Sequence, residues 1–422
     1  MLMQIPYGKG FMQADIPDER VAGIIHGELD HYLPDMEEQD LINRAMDNPI
    51  GTKRLSQLAV NCNKVVIIAS DHTRPVPSKL ILPGMLHEIR EGNPNADITI
   101  LIATGCHRET KKEELVEKFG ADIVEQEKIV IHDCDAEDLT RLGILPSGGE
   151  LYINRIAAEA DLLISEGFIE PHFFAGYSGG RKSVLPGIAS RKTVYWNHCA
   201  EFINHEKARY GILKGNPIHE DMIFAAKAAR LQYIVNVVIN SRHKVIGAFA
   251  GDFEGAHLAG VSFLEGLCKT PPIPADIVVT SNNGYPMDQN IYQTVKGMAT
   301  AEATCTKNGV IIMAAECKDG LGGDAFYRTF LNAPSARQLL EDISSVPKGK
   351  TVEDQWQSQI FARILSEHPV IFISSIDDKI IKEMHMIPAR SFQEALNKAD
   401  EILGKEMAKV TFIPEGITSI IE

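Results

Sequence analysis

Short runs of apolar, mostly β-branched residues recur along the chain and alternate with stretches long enough for helices. Near-continuous apolar runs such as VVIIA and ITILIA predict parallel strands that are buried on both faces. Strands that alternate with helices predict an α/β fold with mainly parallel sheets. The predicted strands are Lys64–Ala69, Asp97–Ala103, Asp161–Ser165, Tyr233–Ile239, Asp276–Ser281, Gly309–Ala314 and Pro369–Ser374.

Two helices are predicted with defined bounds. The segment TKKEELVEKFG begins with a capping-box pattern at Thr110 and Glu113 and ends at a glycine. A second helix is predicted over Asp288–Lys307, where Tyr292 and Lys296 are four residues apart and therefore share one face.

The proline-rich stretch Lys269–Ala275 is the best domain boundary, because three prolines cannot sit inside a helix or a central strand. A second series of strands and helices follows it. We therefore predict two α/β domains, residues 1–270 and residues 271–399, with an active-site cleft between them. The last segment, about residues 400–422, fits a return to the first domain as well as a place in the second.

Composition narrows the class of protein. The 422 residues are 44% hydrophobic and 23% charged, as in ordinary globular proteins. A net charge of −15 argues against nucleic-acid and anionic-membrane partners but not against a local basic pocket. No apolar run approaches the roughly 18 residues of a membrane span, and no signal-peptide pattern is present. Seven scattered cysteines without a C-x-x-C pair favour a reduced, cytoplasmic setting.

Dense polar clusters directly follow four of the predicted strands. Ligands of open α/β sheets bind beyond the carboxyl ends of strands, which is where these clusters lie. They bring histidine, arginine and aspartate to one edge, so we predict an active site there. The clusters are SDHTRPVPS (70–78), TGCHR (104–108), EGFIEPH (166–172) and SNNGYP (281–286).

The glycine-rich stretch FFAGYSGGRKSVLPG (173–187) differs from a phosphate-binding P-loop. Arg181 stands where that motif requires its second glycine, directly before Lys182, so a Walker-type NTPase is disfavoured. The backbone N–H groups of Ser178, Gly179 and Gly180 can still point at an anion. Lys182 is then a cation or a nucleophile beside them.

The histidines differ in how well their neighbours support a function. His107 and His172 each end a polar cluster and are candidates for chemistry. His198, 16 residues beyond Lys182, has no such support, and the residues alone favour a structural role for it and for His72. Zinc-type H-x-x-x-H spacing is absent from the predicted helices, which disfavours an all-protein metal cage. The histidines without supporting neighbours are His132, His205, His219, His243 and His257.

The segments SDHTRPVPSK, ATGCHR, EPHFFAGYSGGRKSVLPGIA and YQTVKGM together resemble the nickel-pincer lactate racemase family over nearly the whole chain. The resemblance implies nickel and a pyridinium-3-thioamide-5-thiocarboxylic acid mononucleotide, whose carbon and two sulfurs bind the metal. It implies a covalent tether at Lys182 and a nickel ligand at His198. It also implies that His107 and His172 are the catalytic histidines, and that accessory proteins make the cofactor.

Further positions match the family's cofactor and substrate contacts. Asp71 and Arg74 match its Asp-x-x-Arg pair. The cofactor contacts implied by the resemblance are Asp71, Arg74, Gln293 and Lys296, and the substrate contacts are Arg74, Tyr292, Lys296 and Trp356.

The resemblance implies interconversion of D- and L-lactate, and the chemistry of the residues agrees with it. The α-hydrogen of a 2-hydroxy acid is a very poor acid, so removing it as a hydride avoids a carbanion. Two imidazoles can exchange the hydroxyl proton near neutral pH, and Arg74 can hold the carboxylate through two parallel hydrogen bonds.

Two alternatives stay open at this point. The same chemistry serves a larger 2-hydroxy acid such as malate, 2-hydroxyglutarate or an aldonate, although Tyr292 and Trp356 favour lactate by filling the pocket. An alternative of another class is a non-catalytic α/β protein that binds an anion or a nucleotide through residues 178–183.

Overall fold

The computed structural model describes all residues from Met1 to Glu422. The chain forms two compact units. We call the one that contains both termini the terminal unit and the other the central unit. The terminal unit comprises Met1–Glu28, Cys199–His205 and Cys268–Glu422, and the central unit comprises Leu29–His198 and Glu206–Leu267.

The central unit is built on a six-stranded sheet whose strands are parallel except for one edge strand. In spatial order the strands are Val245–Gly251 (antiparallel), Leu231–Ile239, Leu162–Phe168, Lys64–Ser70, Asp97–Ala103 and Lys128–Ile131. The helices of this unit are Glu38–Asp47, Leu55–Ala59, Ser78–Gly92, Lys112–Phe119, Ala121–Gln126, Arg155–Ala158, Arg191–Asn197, Pro217–Ala228 and Gly255–Cys268.

 The short helix Ala200–Ile203 belongs to the terminal unit. Two small antiparallel pairs complete the central unit: Thr140–Ile144 with Glu150–Ile153, and Pro171–His172 with Gly176–Tyr177.

The terminal unit has its own six-stranded sheet, which is parallel throughout. In spatial order its strands are Ile387–Ala389, Val370–Ile373, Cys305–Ala314, Ala275–Ser281, Val410–Ile413 and Val21–Ile24. Its other strands are the hairpin Leu2–Tyr7 with Gly10–Asp15 and the parallel pair Lys269–Thr270 with Ile420–Ile421. Its helices are Ala200–Ile203, Ile291–Glu302, Asp324–Leu331, Ala336–Ser344, Gln355–Glu367, Asp378–Glu383 and Phe392–Leu403.

The predicted fold class, α/β with mainly parallel sheets, is confirmed. Each sheet contributes its own hydrophobic core, formed by the apolar residues of the strands and of the helices that cover them. None of the helices combines the length and the apolarity that crossing a bilayer would require.

The course of the chain differs from the predicted division into residues 1–270 and 271–399. Residues 1–28 pack in the terminal unit, because Val21–Ile24 adds an edge strand beside Val410–Ile413. Val410–Ile413 in turn pairs with the strand Ala275–Ser281, so the end of the chain also lies in the terminal unit.

Both predicted helices have different bounds in the structure. The first begins at Lys112, and the side chain of Glu114, not Glu113, accepts the backbone N–H of Lys111 at 2.8 Å. The second covers only Ile291–Glu302. Its start is capped by the side chain of Asn290, and the next strand follows its end almost at once.

Candidate active site

The strand order of the central unit creates a switch point at the carboxyl ends of Lys64–Ser70 and Leu162–Phe168, where connections leave in opposite directions along the sheet. Open α/β sheets bind ligands at such points. Buried Glu166 braces this edge: its carboxylate accepts the N–H and the hydroxyl of Ser70 at 2.9 and 3.0 Å and the hydroxyl of Ser78 at 2.9 Å. The loop between Ser70 and Ser78 is therefore fixed at both ends.

Asp71 and His107 form a hydrogen-bonded pair at this edge. Asp71 follows the strand Lys64–Ser70 and is buried, whereas the imidazole of His107 is 45% exposed. The Nδ1 atom of His107 lies 2.7 Å from one carboxylate oxygen of Asp71, and the other oxygen accepts the Thr73 hydroxyl at 2.6 Å. Because a carboxylate only accepts, the proton of neutral His107 resides on Nδ1 and its Nε2 lone pair is free for chemistry.

The charge of Asp71 is stable at any ordinary pH. Burial by itself would raise the pKa of this carboxyl, but the hydrogen bond and charge of His107, the Thr73 hydroxyl and the charge of Arg74 lower it to about 2. Arg74 is exposed, and its carbonyl oxygen accepts the ammonium group of Lys118 at 2.8 Å. The loop thus presents a guanidinium close to the charged carboxylate of Asp71.

The ring of Phe174 is the centre of a second cluster. The imidazole of His172 contacts it edge-on at 4.5 Å between ring centroids, and that of His198 does so at 5.1 Å. The ammonium nitrogen of Lys182 lies 5.8 Å from the centroid of the same ring. Three residues predicted to carry the chemistry therefore surround one aromatic side chain.

The hairpin of Pro171–His172 with Gly176–Tyr177 places His172 and Phe174. Gly176 adopts a φ of +78°, and a Cβ atom there would lie 2.5 Å from the Ile212 carbonyl oxygen, so glycine is required in this tight hairpin. The backbone N–H of Ala175 donates to Nδ1 of His172 at 3.3 Å. Neutral His172 therefore carries its proton on Nε2, the opposite arrangement to His107.

His198 is held as a neutral imidazole. Burial and the nearby charge of Lys182 lower its pKa to about 3. Neutral imidazole is the form that coordinates metals, and it is a borderline ligand that suits nickel. The chemistry of this pair, a primary amine next to a neutral imidazole, fits a cofactor that is attached to a lysine and holds a metal.

Backbone hydrogen bonds connect the Lys182 loop to the His107 turn. The carbonyl oxygen of Lys182 accepts the N–H of Gly187 at 3.1 Å, and the carbonyl oxygen of Gly187 accepts the N–H of Gly105 at 2.9 Å. Gly105 is two residues from His107, whose N–H closes a turn on the Thr104 carbonyl at 2.9 Å. The two clusters thus belong to one continuous framework within the central unit.

Arg181 organises this loop from inside the protein. Its guanidinium is fully buried and donates to the carbonyl oxygens of Ala175, Ser178 and Gly179 at 2.8 to 3.3 Å. It also donates from Nε to Nδ1 of His219 at 3.1 Å, and Nε2 of His257 lies 3.1 Å from its Nη1.

Nδ1 of His219 takes the place of an acidic partner, whereas Nε2 of His257 also lies 2.8 Å from the Ser178 carbonyl oxygen, to which it can donate. Burial first, and then the positive charge of Arg181, lower the pKa of both imidazoles, that of His219 to about 3. Burial lowers the pKa of Arg181 to about 9, so it remains charged at neutral pH. The sequence offered no indication of this role, because His219 and His257 are distant from Arg181 in the chain and have no motif around them.

Replacing Arg181 with methionine is expected to destabilise the protein by about 3 kcal/mol or more, because the Ala175 carbonyl oxygen and Nδ1 of His219 lose their donor and the Ser178 and Gly179 carbonyl oxygens each lose one of two partners. Urea denaturation followed by circular dichroism measures this loss. Arg337→Met, at an exposed position of the helix Ala336–Ser344, is the control and should change stability by less than about 0.5 kcal/mol. Equal stability of the two variants would contradict the organising role of Arg181.

The remaining predicted residues lie in the terminal unit. The hydroxyl of Tyr292 donates to Asp354 at 2.8 Å, just before the helix Gln355–Glu367 that carries Trp356. Gln293 and Lys296 lie on the same helix as Tyr292, and the side-chain oxygen of Gln293 is buried without a hydrogen-bond donor. A buried acceptor of this kind is costly unless a ligand supplies the donor.

The structure therefore groups the predicted residues into two sets, each within one unit. The set in the central unit is Asp71, Arg74, His107, His172, Lys182 and His198, and the set in the terminal unit is Tyr292, Gln293, Lys296 and Trp356. Sequence reasoning did not single out Phe174, the ring that three of them contact, although it lies between His172 and Lys182 in the chain.

Known families match both parts of the chain. Residues 7–211 match the family described as "Lactate racemase N-terminal domain", and residues 270–421 match the one described as "Lactate racemase C-terminal domain". The chain is 52% identical over 421 residues to the lactate racemase of Thermoanaerobacterium thermosaccharolyticum, with 99% of each chain covered. It is 50% identical over 422 residues to the lactate racemase of Lactiplantibacillus plantarum, which covers 100% of this chain and 99% of the relative.

Solved structures extend the similarity to three dimensions. The structure of the lactate racemase apoprotein from Thermoanaerobacterium thermosaccharolyticum superimposes with a TM-score of 0.96 at 51% identity, with 100% of both chains covered. A crystal structure of a Thermotoga maritima protein gives a TM-score of 0.66 at 17% identity, over 93% of this chain and 100% of that one. The second likeness concerns the fold alone.

Proposed function

The chain belongs to the lactate racemase family, and from that premise we propose that it is an isomerase that interconverts D- and L-lactate. The observation that carries the proposal is the grouping of His172, His198 and Lys182 around Phe174, within the same unit as the His107–Asp71 pair. A nucleophilic amine, a metal-binding imidazole and two further imidazoles are the groups that this reaction requires.

We propose that Lys182 holds the nickel-pincer mononucleotide covalently and that His198 is a ligand of its nickel. When bound, this cofactor supplies reversible hydride acceptance at the substrate α-carbon. The residues of the chain supply the rest: they bind the substrate, orient it and move its hydroxyl proton.

We propose that the two accessible imidazoles, those of His107 and His172, transfer the hydroxyl proton of the substrate. Asp71 keeps the proton of His107 on Nδ1, so the Nε2 atom of His107 accepts the hydroxyl proton of one enantiomer. We propose that His172 serves the other enantiomer; to accept a proton at Nε2 it first moves its own proton to Nδ1, which breaks the bond from the Ala175 N–H. A proton then returns to the substrate oxygen from the other imidazole, which carries a proton on both nitrogens before that step, and each imidazole recovers its starting protonation state by exchange with solvent.

We propose that charged and aromatic side chains bind the substrate. Arg74 is exposed beside Asp71 and is free to grip the substrate carboxylate with its planar guanidinium. We propose that Lys296 adds a second positive charge and that Tyr292 and Trp356 limit the substrate side chain to a methyl group. We propose that Asp71, Arg74, Gln293 and Lys296 also contact the cofactor.

The test uses protein purified from cells that also make the cofactor-synthesis accessory proteins implied by the family. Single enantiomers of lactate, malate, 2-hydroxyglutarate and an aldonate are incubated separately, and loss of optical rotation is followed. We expect racemisation of lactate alone. Activity only on a larger acid would show that this acid, and not lactate, is the substrate. Binding of these acids without any turnover would support a non-catalytic protein instead.

Replacing Asp71 with asparagine is expected to lower kcat for lactate by about 10²- to 10⁴-fold, because an amide can donate to Nδ1 and so move the imidazole proton onto Nε2. The loss is expressed per nickel-loaded enzyme, because Asp71 is also proposed to contact the cofactor. Thr73→Val, which removes one donor to Asp71 but keeps its charge, is the control and should cost less than about tenfold. Full activity of the asparagine variant would show that the tautomer of His107 is unimportant.

A further inference from the structure

Two cysteine thiols lie side by side where the loops after two neighbouring strands meet. Cys106 follows Asp97–Ala103, Cys134 follows Lys128–Ile131, and these strands pair in parallel. Each of the two thiols shifts the pKa of the other, as expected of side chains that lie close together.

Buried hydrogen bonds hold the two loops together. The Thr104 hydroxyl donates to the His132 carbonyl oxygen at 2.7 Å, and the His132 N–H donates to the Ile102 carbonyl oxygen at 3.0 Å. Thr104 and His132 are 2% and 3% exposed. Each cysteine is two residues beyond one member of this pair, so the fold fixes the proximity of the thiols.

The local charges favour reaction at this pair. The neighbouring thiol of Cys106 lowers the pKa of the Cys134 thiol and the positive charge of Arg191 adds to this, whereas burial and Asp135 oppose it; the pKa of Cys106 is raised by Cys134 and by burial. Cys106 is half-buried, so a small oxidant has a route to the pair. Thiolate character together with a neighbouring thiol is the arrangement from which disulfides form.

The same place is poorly suited to a metal ion. The donor atoms of Asp133, Cys134 and Asp135 lie within 4.8 Å of one another. However, the guanidinium of Arg191 donates to the Asp135 carboxylate at 2.9 and 2.7 Å. A cation among the donors opposes a second cation, which leaves thiol chemistry as the use of this cluster.

Cys106 lies in the same turn as His107, the proposed base. Cys106 is the third residue of the turn Thr104–His107, and Gly105 in that turn has a φ of +55°. A disulfide restricts the separation of its two Cβ atoms to about 3.5–4.5 Å. A disulfide between Cys106 and Cys134 would therefore constrain the turn that carries His107.

We propose that Cys106 and Cys134 are a reversible oxidation site whose disulfide displaces His107 and switches the enzyme off. The oxidant is a small-molecule disulfide. One protein thiolate attacks it and releases one small thiol, and the second protein thiol then attacks the mixed disulfide and releases the other. One sulfur–sulfur bond forms in the protein and one breaks in the oxidant, which receives both electrons and both protons.

The first experiment tests the modification alone and does not depend on the proposed function. The purified full-length protein is incubated with glutathione disulfide, and free thiols and peptide masses are measured. The seven thiols should fall to 7 − 2 = 5, with the peptides of Cys106 and Cys134 joined. Cys134→Ser and Cys106→Ser should prevent the cross-link, whereas Cys62→Ser, a thiol elsewhere in the central unit, should not. Glutathione adducts without a cross-link would overturn the proposal.

The second experiment rests on the proposed function and uses cofactor-loaded enzyme. Oxidation should lower lactate racemisation at least about tenfold, and dithiothreitol should restore it. Cys134→Ser should keep its activity in the same oxidant, and Cys62→Ser should lose activity like the wild type. A cross-link that leaves activity unchanged would overturn the switch. A cross-link in a protein without any racemase activity when reduced would count against the proposed function instead.

Discussion

Lys182→Ala is expected to abolish both cofactor attachment and racemisation while the fold stays intact. The side chain supplies the only atom to which the proposed tether can bind, whereas the loop is held by backbone atoms. The N–H of Lys182 donates to the Gly179 carbonyl oxygen at 3.1 Å, and its carbonyl oxygen accepts the Gly187 N–H at 3.1 Å. Alanine keeps both bonds, so the free energy of unfolding should change by less than about 1 kcal/mol.

Mass spectrometry and nickel analysis of protein from cofactor-producing cells measure this outcome. The wild-type peptide with Lys182 should carry the mass of the mononucleotide, and the alanine variant should carry neither this mass nor nickel. Lys192→Ala is the matched control, since Lys192 is ten residues further along, 71% exposed and paired with Glu150. An adduct on another lysine, or racemisation by the alanine variant, would contradict the tether.

The strands were predictable because a strand that is buried on both faces is apolar along its length, which the local sequence shows directly. Asp97–Ala103 has the predicted bounds, and the other predicted strands differ from the observed ones by a few residues at their ends. Strands buried on both faces need uninterrupted β-branched and aliphatic residues, and few other elements do. Local sequence is therefore sufficient to find them.

The second predicted helix was too long because tertiary contacts decide its ends. Asp288 was placed inside it, but its carboxylate accepts the N–H groups of Gly8 and Glu316 at 2.7 and 3.1 Å. These partners are far away in the chain. Asn290 then caps the helix, at a position that a periodic pattern does not distinguish from a helical one.

The candidate site was predictable only where its residues lie in recognisable motifs. Asp71 and His107 stand in polar segments at strand ends, which the sheet brings together, and Lys182 lies in the glycine-rich stretch that follows a third such segment. The bond between Asp71 and His107 was not predicted, because 36 residues separate them and only the parallel pairing of their strands joins them. His219 and His257 were missed for the same reason.

His107→Asn and His172→Asn are each expected to lower racemisation by about 10²- to 10⁴-fold, the usual contribution of a general acid or base. Asparagine can keep the short-range bonds, to Asp71 in one case and to the Ala175 N–H in the other, but it cannot exchange protons. Both directions should slow equally in kcat/KM, because the equilibrium constant between two enantiomers is one. Steady-state rates therefore cannot tell which enantiomer each imidazole serves.

A single turnover with trapped product makes that distinction. Loaded enzyme is mixed with one enantiomer, and the 2-keto acid formed is captured with a hydrazine reagent and quantified. Forming it requires only the imidazole that removes the hydroxyl proton of that enantiomer.

His107→Asn should lose the product from one enantiomer and keep it from the other, and His172→Asn should show the mirror-image result. Asp71 already holds the His107 proton on Nδ1, whereas His172 must move its proton from Nε2 to Nδ1 before Nε2 can act as a base. The two remaining half-reactions should therefore also differ in rate. Loss of the same enantiomer in both variants would mean that one imidazole serves both, and the two-base arrangement would have to be abandoned.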